Sequence, residues 1–211
     1  MKYMFNWVNN IDKEELNKVI NVIKNDGLVL IPTETVYGIA ANALSDDACK
    51  KIFIAKGRAS DNPLIVHVSD KDMIKRLVKN VNSIEEKLID AFMPGPFTLI
   101  LEKKECISNV ASAGGSTIGI RMPSNKIINT VIKESNVPLA APSANISGRP
   151  SGTCINDILE ELKNRVDVVI DGGRCNIGIE STVVKVINNV PTILRPGFIT
   201  EKDIENVVGS A

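Results

Sequence analysis

The sequence predicts an α/β fold, a twisted open sheet of mixed strand direction flanked by helices, and three observations predict it. Short apolar runs bounded by glycine, proline or polar residues recur along the chain and alternate with segments of helical periodicity. The stretch from Ser181 to Gly197 alternates at period two around Asn188-Asn189, the pattern of an antiparallel hairpin, so the sheet is not purely parallel. No internal repeat, low-complexity run or Pro/Ser-rich linker interrupts the 211 residues, of which 44% are apolar. We therefore expect one domain over 1–211, with its core from about 12 to 208 and no second domain.

The elements follow in order. Asp12 opens a helix as its side-chain cap, with Glu15 three residues on and Leu16, Val19, Ile20 and Ile23 at helical spacing up to Gly27. Leu28 to Pro32 reads as a buried strand. Ser45 caps a second helix that ends near Gly57, and Pro63 to Val68 resumes strand character. Further helices are expected near Asp70 to Lys79, Ser83 to Phe92, Ser124 to Glu134 and Asn156 to Arg165, with Ser83 and Glu86 forming a capping box. Between them lie the strands TLILE, TIGIRM, PLAAP and DVVID. Loops leaving the carboxyl ends of strands are where open α/β sheets bind ligands, and the unusual residues of this chain cluster there.

Composition narrows the function. Lys plus Arg and Asp plus Glu both total 25, so the molecule as a whole exerts no general attraction on nucleic acid and any polyanion site is local. Four widely spaced cysteines without a CxxC pair, and a single histidine, read as reduced thiols rather than a metal centre. The first residues lack the apolar region of a secretory signal and no apolar run is long enough to span a bilayer, which predicts a soluble, cytoplasmic protein with no membrane partner. Arginine is scarce beside lysine. Five of the seven arginines, Arg58, Arg121, Arg149, Arg174 and Arg195, sit beside Gly, Pro or Ser in loop-like stretches, where their guanidinium forks are candidate ligands for carboxylate or phosphate.

The chain carries neither GxxxxGK[ST] nor GxGxxG, so the standard NTPase and dehydrogenase readings lose support. Instead PTETVYG places two hydroxyls, a carboxylate and a phenol at the exit of the first strand, where a simple capping turn would use similar residues. Lys56-Gly57-Arg58, followed by Asn62, sets two cations and an amide between a helix end and a strand; they either complement the helix dipole or clamp phosphate. His67 lies within a strand, where a satisfied core histidine is the commoner outcome. Two-residue periodicity puts Thr117, Gly119 and Arg121 on one face of a strand. The loop after PLAAP, with Ser143, Asn145, Arg149 and Ser151, has the donors to surround phosphate, as does a solvated turn.

Taken in order, PTETVYG, KGR, NPL followed by HV, PGPFTLIL, GIRMP, APSAN, SG, GIESTVV and ILRPG resemble the YrdC family of threonylcarbamoyl-AMP synthases from about Leu28 to Gly197. The resemblance implies a sheet with a deep cavity on its concave face, where L-threonine, bicarbonate and ATP meet with magnesium. It implies a threonine pocket of Thr35, His67, Arg121, Ala141 and Ser181, with Arg121 pairing the carboxylate. For the nucleotide it points to Arg58, Asn62, Thr117, Ser143, Asn145, Ser151 and Arg195, with Lys56 and Arg58 stabilising the charge that grows on the transferring phosphate. The product would pass to a tRNA threonylcarbamoyl transferase, without direct tRNA binding by this chain. Two departures stand out: Ala59 follows KGR where many relatives carry proline, and some synthases continue into a second domain whereas this chain stops at Ala211. An RNA-binding module without catalysis is the alternative, weakened by zero net charge and few aromatics for base stacking. Carbamoyl transfer of the hydrogenase-maturation type would need further domains with paired zinc-binding cysteines.

Overall fold

A computed structural model describes residues 1–209; Ala211, where the expected domain ends, lies outside the described residues. The strands are β1 (Tyr3–Asn6), β2 (Val29–Pro32), β3 (Tyr37–Asn42), β4 (Ile65–His67), β5 (Phe97–Glu102), β6 (Thr117–Arg121), β7 (Leu139–Ala140), β8 (Val168–Asp171), β9 (Thr182–Ile187) and β10 (Val190–Arg195). The helices are α1 (Lys13–Lys24), α2 (Asp46–Lys56), α3 (Lys71–Leu77), α4 (Ser83–Phe92), α5 (Lys126–Ser135), α6 (Ile155–Leu162) and α7 (Glu201–Val208). The strands join in the order β1-β8-β2-β3-β7-β4-β6-β5-β9-β10. β1, β2, β4 and β5 have parallel partners, whereas the β2/β3, β3/β7, β4/β7, β5/β6 and β9/β10 pairs are antiparallel, so the sheet is mixed as expected.

Local chemistry sets the ends of these elements. Asp12 and Ser45 accept from the backbone N–H groups of Glu15 and Ala48, and Gly57 closes α2 in the left-handed region at φ 60°. The capping box of α4 is displaced by one residue from the expected Ser83/Glu86: Asn82 caps the helix and Glu85 reaches back to its N–H. Asn and Ser both suit an N-cap; here Asn82 has the extended backbone and its Oδ1 accepts from Glu85 N–H, so the helix starts one residue earlier in the cap register. Likewise Asn125, not Ser124, caps α5, because Ser124 is committed elsewhere. Asn188 and Asn189 both take positive φ, 50° and 63°, and make the tight turn of the β9/β10 hairpin.

Three elements lay outside the sequence expectations. β1 pairs in parallel with β8 at the edge of the sheet, and Phe5 and Trp7 are buried, so the core reaches upstream of residue 12. β3 is nearly all buried; being covered on both faces, YGIAAN lacks the alternation that marks a half-exposed strand. α7 is capped by Thr200 with Asp203; it buries Ile204 in the core and packs the partly buried Val208 against it.

Candidate active site

One cavity of 590 Å³ opens on the sheet, and its wall draws on separate parts of the chain: the β2–β3 turn, the loop after α2 running into β4, strands β5 and β6, the segment after β7, and the β9/β10 hairpin with the residues before it. The turn is self-bonded. Thr33 Oγ1 donates to Val36 O at 2.6 Å and accepts from the N–H groups of Thr35 and Val36, which fixes Thr35 with its hydroxyl toward β6. Beside it Gly38 lets the segment Ala141-Pro142 lie against β3; a Cβ there would sit 3.3 Å from Pro142 O. Gly119, on β6, keeps the floor low between Thr98, Ile100 and Ile65.

At the inner end stands Arg121, buried and held on three sides. Its Nε donates to Gly95 O at 3.3 Å, Nη1 donates to Thr35 Oγ1 at 3.0 Å, and Nη2 is paired with Glu34 Oε1. The second oxygen of Glu34 accepts from Ser124 N–H and Ser124 Oγ, each at 2.7 Å. A guanidinium offers five N–H groups, so Arg121 retains donors for a ligand carboxylate after these bonds are made. His67 faces the same end. Burial and then the neighbouring Arg121 push its imidazole down to about 3, so it stands neutral at physiological pH, and its buried Nδ1 has no hydrogen-bond partner among the described residues. Ser181 completes this end, its hydroxyl 2.7 Å from Thr98 Oγ1 and 3.1 Å from Arg195 Nη2.

The outer end is cationic. Arg58 is held by the carbonyls of Asn62 and Pro63, with Nη2 to Pro63 O at 2.8 Å. Arg195 donates to Ser181 O and pairs with Glu180 at 2.7 Å. Lys56, at the last turn of α2, is buried beneath the wall and among the described residues reaches neutral oxygens alone, Ser143 O and Oγ and Asn145 Oδ1. Burial, then the repulsion of Arg58, lowers its ammonium to about 8. A buried cation beside a second cation and without a carboxylate contact is costly unless an anion completes it.

Of the residues singled out from sequence, Thr35, Arg58, Asn62, His67, Arg121, Ala141, Ser143, Ser181 and Arg195 line the cavity. Lys56 and Asn145 stand directly behind Ser143, and Ser151 touches the wall through Glu180, at 3.2 Å. Thr117 is not brought to the wall. It opens β6 opposite Glu102, two residues before Gly119, where the strand has not yet reached the cavity. Arg149 and Arg174, two of the five arginines expected as anion ligands, point elsewhere: Arg149 pairs with Glu161, and Arg174 donates to Thr153 Oγ1. Arg121 and Arg195 end strands rather than occupying loops. Sequence reasoning missed the roles of Glu34 and Glu180; their motifs were visible, but their partners lie far along the chain.

A family model for Sua5, YciO and YrdC, described as "Telomere recombination", matches residues 21–197. The chain belongs to that family. Within the Sua5/YciO/YrdC family it is 41% identical over 209 residues to the threonylcarbamoyl-AMP synthase of Pyrococcus abyssi, covering 99% of this chain and 62% of that one. It is 44% identical over 189 residues to the threonylcarbamoyl-AMP synthase of Bacillus subtilis, covering 89% of this chain and 55% of that one. The chain therefore spans about 55–62% of the length of these curated relatives. Among solved structures, the P. abyssi Sua5 complexed with L-threonine superposes with a TM-score of 0.95 at 41% identity, over 98% of this chain and 61% of that one.

Proposed function

We propose that this chain forms threonylcarbamoyl-AMP and pyrophosphate from L-threonine, bicarbonate and ATP, as a nucleotidyltransferase serving threonylcarbamoyladenosine modification of tRNA. The observation that carries the reading is the division of one cavity into an end that suits an amino acid and an end that suits phosphate. Arg121 offers its remaining N–H groups to the carboxylate of threonine. The hydroxyls of Thr35 and Ser181, the neutral imidazole of His67 and the small wall at Ala141 shape the place for the amine, hydroxyl and methyl. A site built to pair a hydroxyl rejects valine, whose methyl leaves buried polar groups unpaired. That the P. abyssi relative was solved with L-threonine supports this assignment.

The amine of threonine adds to the carbon of bicarbonate with loss of water, giving a carbamate. One carbamate oxygen then attacks the α-phosphorus, and the bond to the pyrophosphate oxygen breaks. Arg58, Arg195 and Lys56, with Ser143, Asn145, Ser151 and Asn62 around them, are the groups that hold the triphosphate and the charge that develops on it. Thr117, outside the cavity wall, is assigned to the nucleotide by family resemblance alone. Catalysis on this reading consists of positioning and fixed charge, and no protein nucleophile is needed. Magnesium, when bound with ATP, supplies charge neutralisation on the phosphates. The wall fits such a hard cation, because Glu180 places carboxylate oxygens among the phosphate-binding groups and magnesium takes one or two carboxylates beside phosphate oxygens.

No helix among the described residues is long and apolar enough to cross a membrane, and we place the activity in the cytoplasm, with the product collected by a tRNA threonylcarbamoyl transferase. The test is pyrophosphate release from ATP and magnesium, with threonine and bicarbonate together and with each omitted. Release is expected only when both are present, and far less with valine. Folded protein that binds ATP yet releases no pyrophosphate under any combination would overturn the reading.

A further inference from the structure

Glu180 is the acidic residue of the cavity wall among the described residues, and it faces the cations. Oε2 lies 2.7 Å from Arg195 Nη1, and Oε1 accepts from Ser151 Oγ at 3.2 Å. The same carboxylate acts electrostatically on both Lys56 and Arg58, favouring their charged forms against the cost of burial. Its side chain is 37% exposed, so a ligand in the cavity reaches it.

Two of the groups assigned to the phosphates, Arg195 and Ser151, are thus already served by carboxylate oxygens from within the chain. A triphosphate arriving at Arg195 and Ser151 meets a negative neighbour that competes for the same donors and repels it at close range. Two arrangements relieve this: the carboxylate leaves, or a divalent cation stands between the two anions. Ser151 and Arg195 anchor Glu180 from two sides, which disfavours departure, and its two oxygens are of the kind magnesium accepts beside phosphate.

We infer that Glu180 is the protein's own oxygen ligand to the divalent cation that accompanies the triphosphate, and that it makes nucleotide binding conditional on that cation. The inference rests on the reading of the cavity as a nucleotide site. In the absence of the cation Glu180 is a competitor for the phosphate subsite; in its presence Glu180 becomes part of that subsite.

The experiment is calorimetric titration of a non-hydrolysable ATP analogue into the chain and into its Glu180→Gln variant, each with magnesium and with a chelator. For the unaltered chain, magnesium is expected to tighten binding by about tenfold or more. In the variant the chelated analogue should bind about threefold or more tightly than it does to the unaltered chain, and magnesium should then change the affinity by less than about threefold. An equal magnesium effect in both proteins, or no gain in metal-free binding on substitution, would sink the assignment. A variant with an unchanged melting temperature that binds in neither condition also overturns it, since a repelling group cannot be required for metal-free binding. Should the variant not fold, the unaltered chain decides, because magnesium-independent binding contradicts the inference. An unaltered chain that binds the analogue in neither condition removes the nucleotide reading itself, and the assignment with it.

Discussion

Lys56 shows how much one side chain reveals about a missing partner. Among the described residues its ammonium bonds to neutral oxygens alone and lies beside Arg58, and burial is the larger of the two causes that bring it down from 10.5 to about 8. Below about pH 8 both the folded and unfolded chains carry this proton, and the folded state bears the whole cost of the buried charge. Between about 8 and 10.5 the folded chain gives up the proton while the unfolded chain keeps it, so this group makes stability rise with pH across that window. A bound polyphosphate favours the charged form and reverses the shift. Near pH 8.5, ATP binding is therefore expected to take up on the order of half a proton, and affinity should fall as pH rises from 7 to 9. Calorimetry in buffers of different ionisation enthalpy measures the uptake; a buffer-independent enthalpy would contradict it, and Lys56→Met should abolish it. His67 behaves in the opposite sense to the common expectation for a strand histidine, since its Nδ1 is buried without a partner among the described residues. Nothing in LIVHV distinguishes that state from a satisfied core residue, because satisfaction depends on neighbours outside the strand.

At the scale of elements, the hairpin β9/β10 returns the chain onto the segment that leads into it. Gly197, just past β10, packs so closely that a Cβ there would lie 2.6 Å from Thr182 N, 2.7 Å from Glu180 O and 2.8 Å from Ser181 C. These neighbours are backbone and cannot rotate away. Gly197→Ala should therefore cost about 1–3 kcal/mol of stability and move Glu180, Ser181 and Arg195 together, lowering activity more than stability alone accounts for. Urea unfolding beside pyrophosphate release checks this; a variant with unchanged midpoint would show that the hairpin end yields freely. The hairpin itself was legible from Asn188-Asn189, and α1 and α2 from their capping residues, because those signals are local. The strand β3 was not, because a strand covered on both faces carries no alternation. β1 was not, because its strand partner among the described residues is β8, far along the sequence.

For the whole molecule, the cavity is a convergence of distant segments, and this decides what a linear reading reaches. Most residues that line the cavity were legible as motifs with the chemistry proposed for them, whereas the pairings Arg121 with Glu34 and Arg195 with Glu180 needed the fold. The same convergence predicts that ligands stabilise the chain globally. Magnesium-ATP at about a hundred times its Kd adds roughly 2.7 kcal/mol. For a chain of this size that raises Tm by about 5–10 °C. Trp7 provides the readout: it is 2% exposed, donates to Glu15 at 3.0 Å and lies outside the cavity wall, so its fluorescence follows unfolding rather than ligand contact. A Tm insensitive to ATP would separate the cavity from the cooperative unit.

The sheet order also sets a timetable for synthesis on the ribosome. β1 is translated well before β8, yet Tyr3 finds its partner only when Val168 emerges, and β2 takes the other side of that same late strand. β5 likewise waits for β9. The nascent chain thus exports its strand edges long before their neighbours exist, and pairings of such sequence separation close slowly. Fragments ending before β8 are expected to leave β1 and β2 without that neighbour, exposing them to chaperones and to each other.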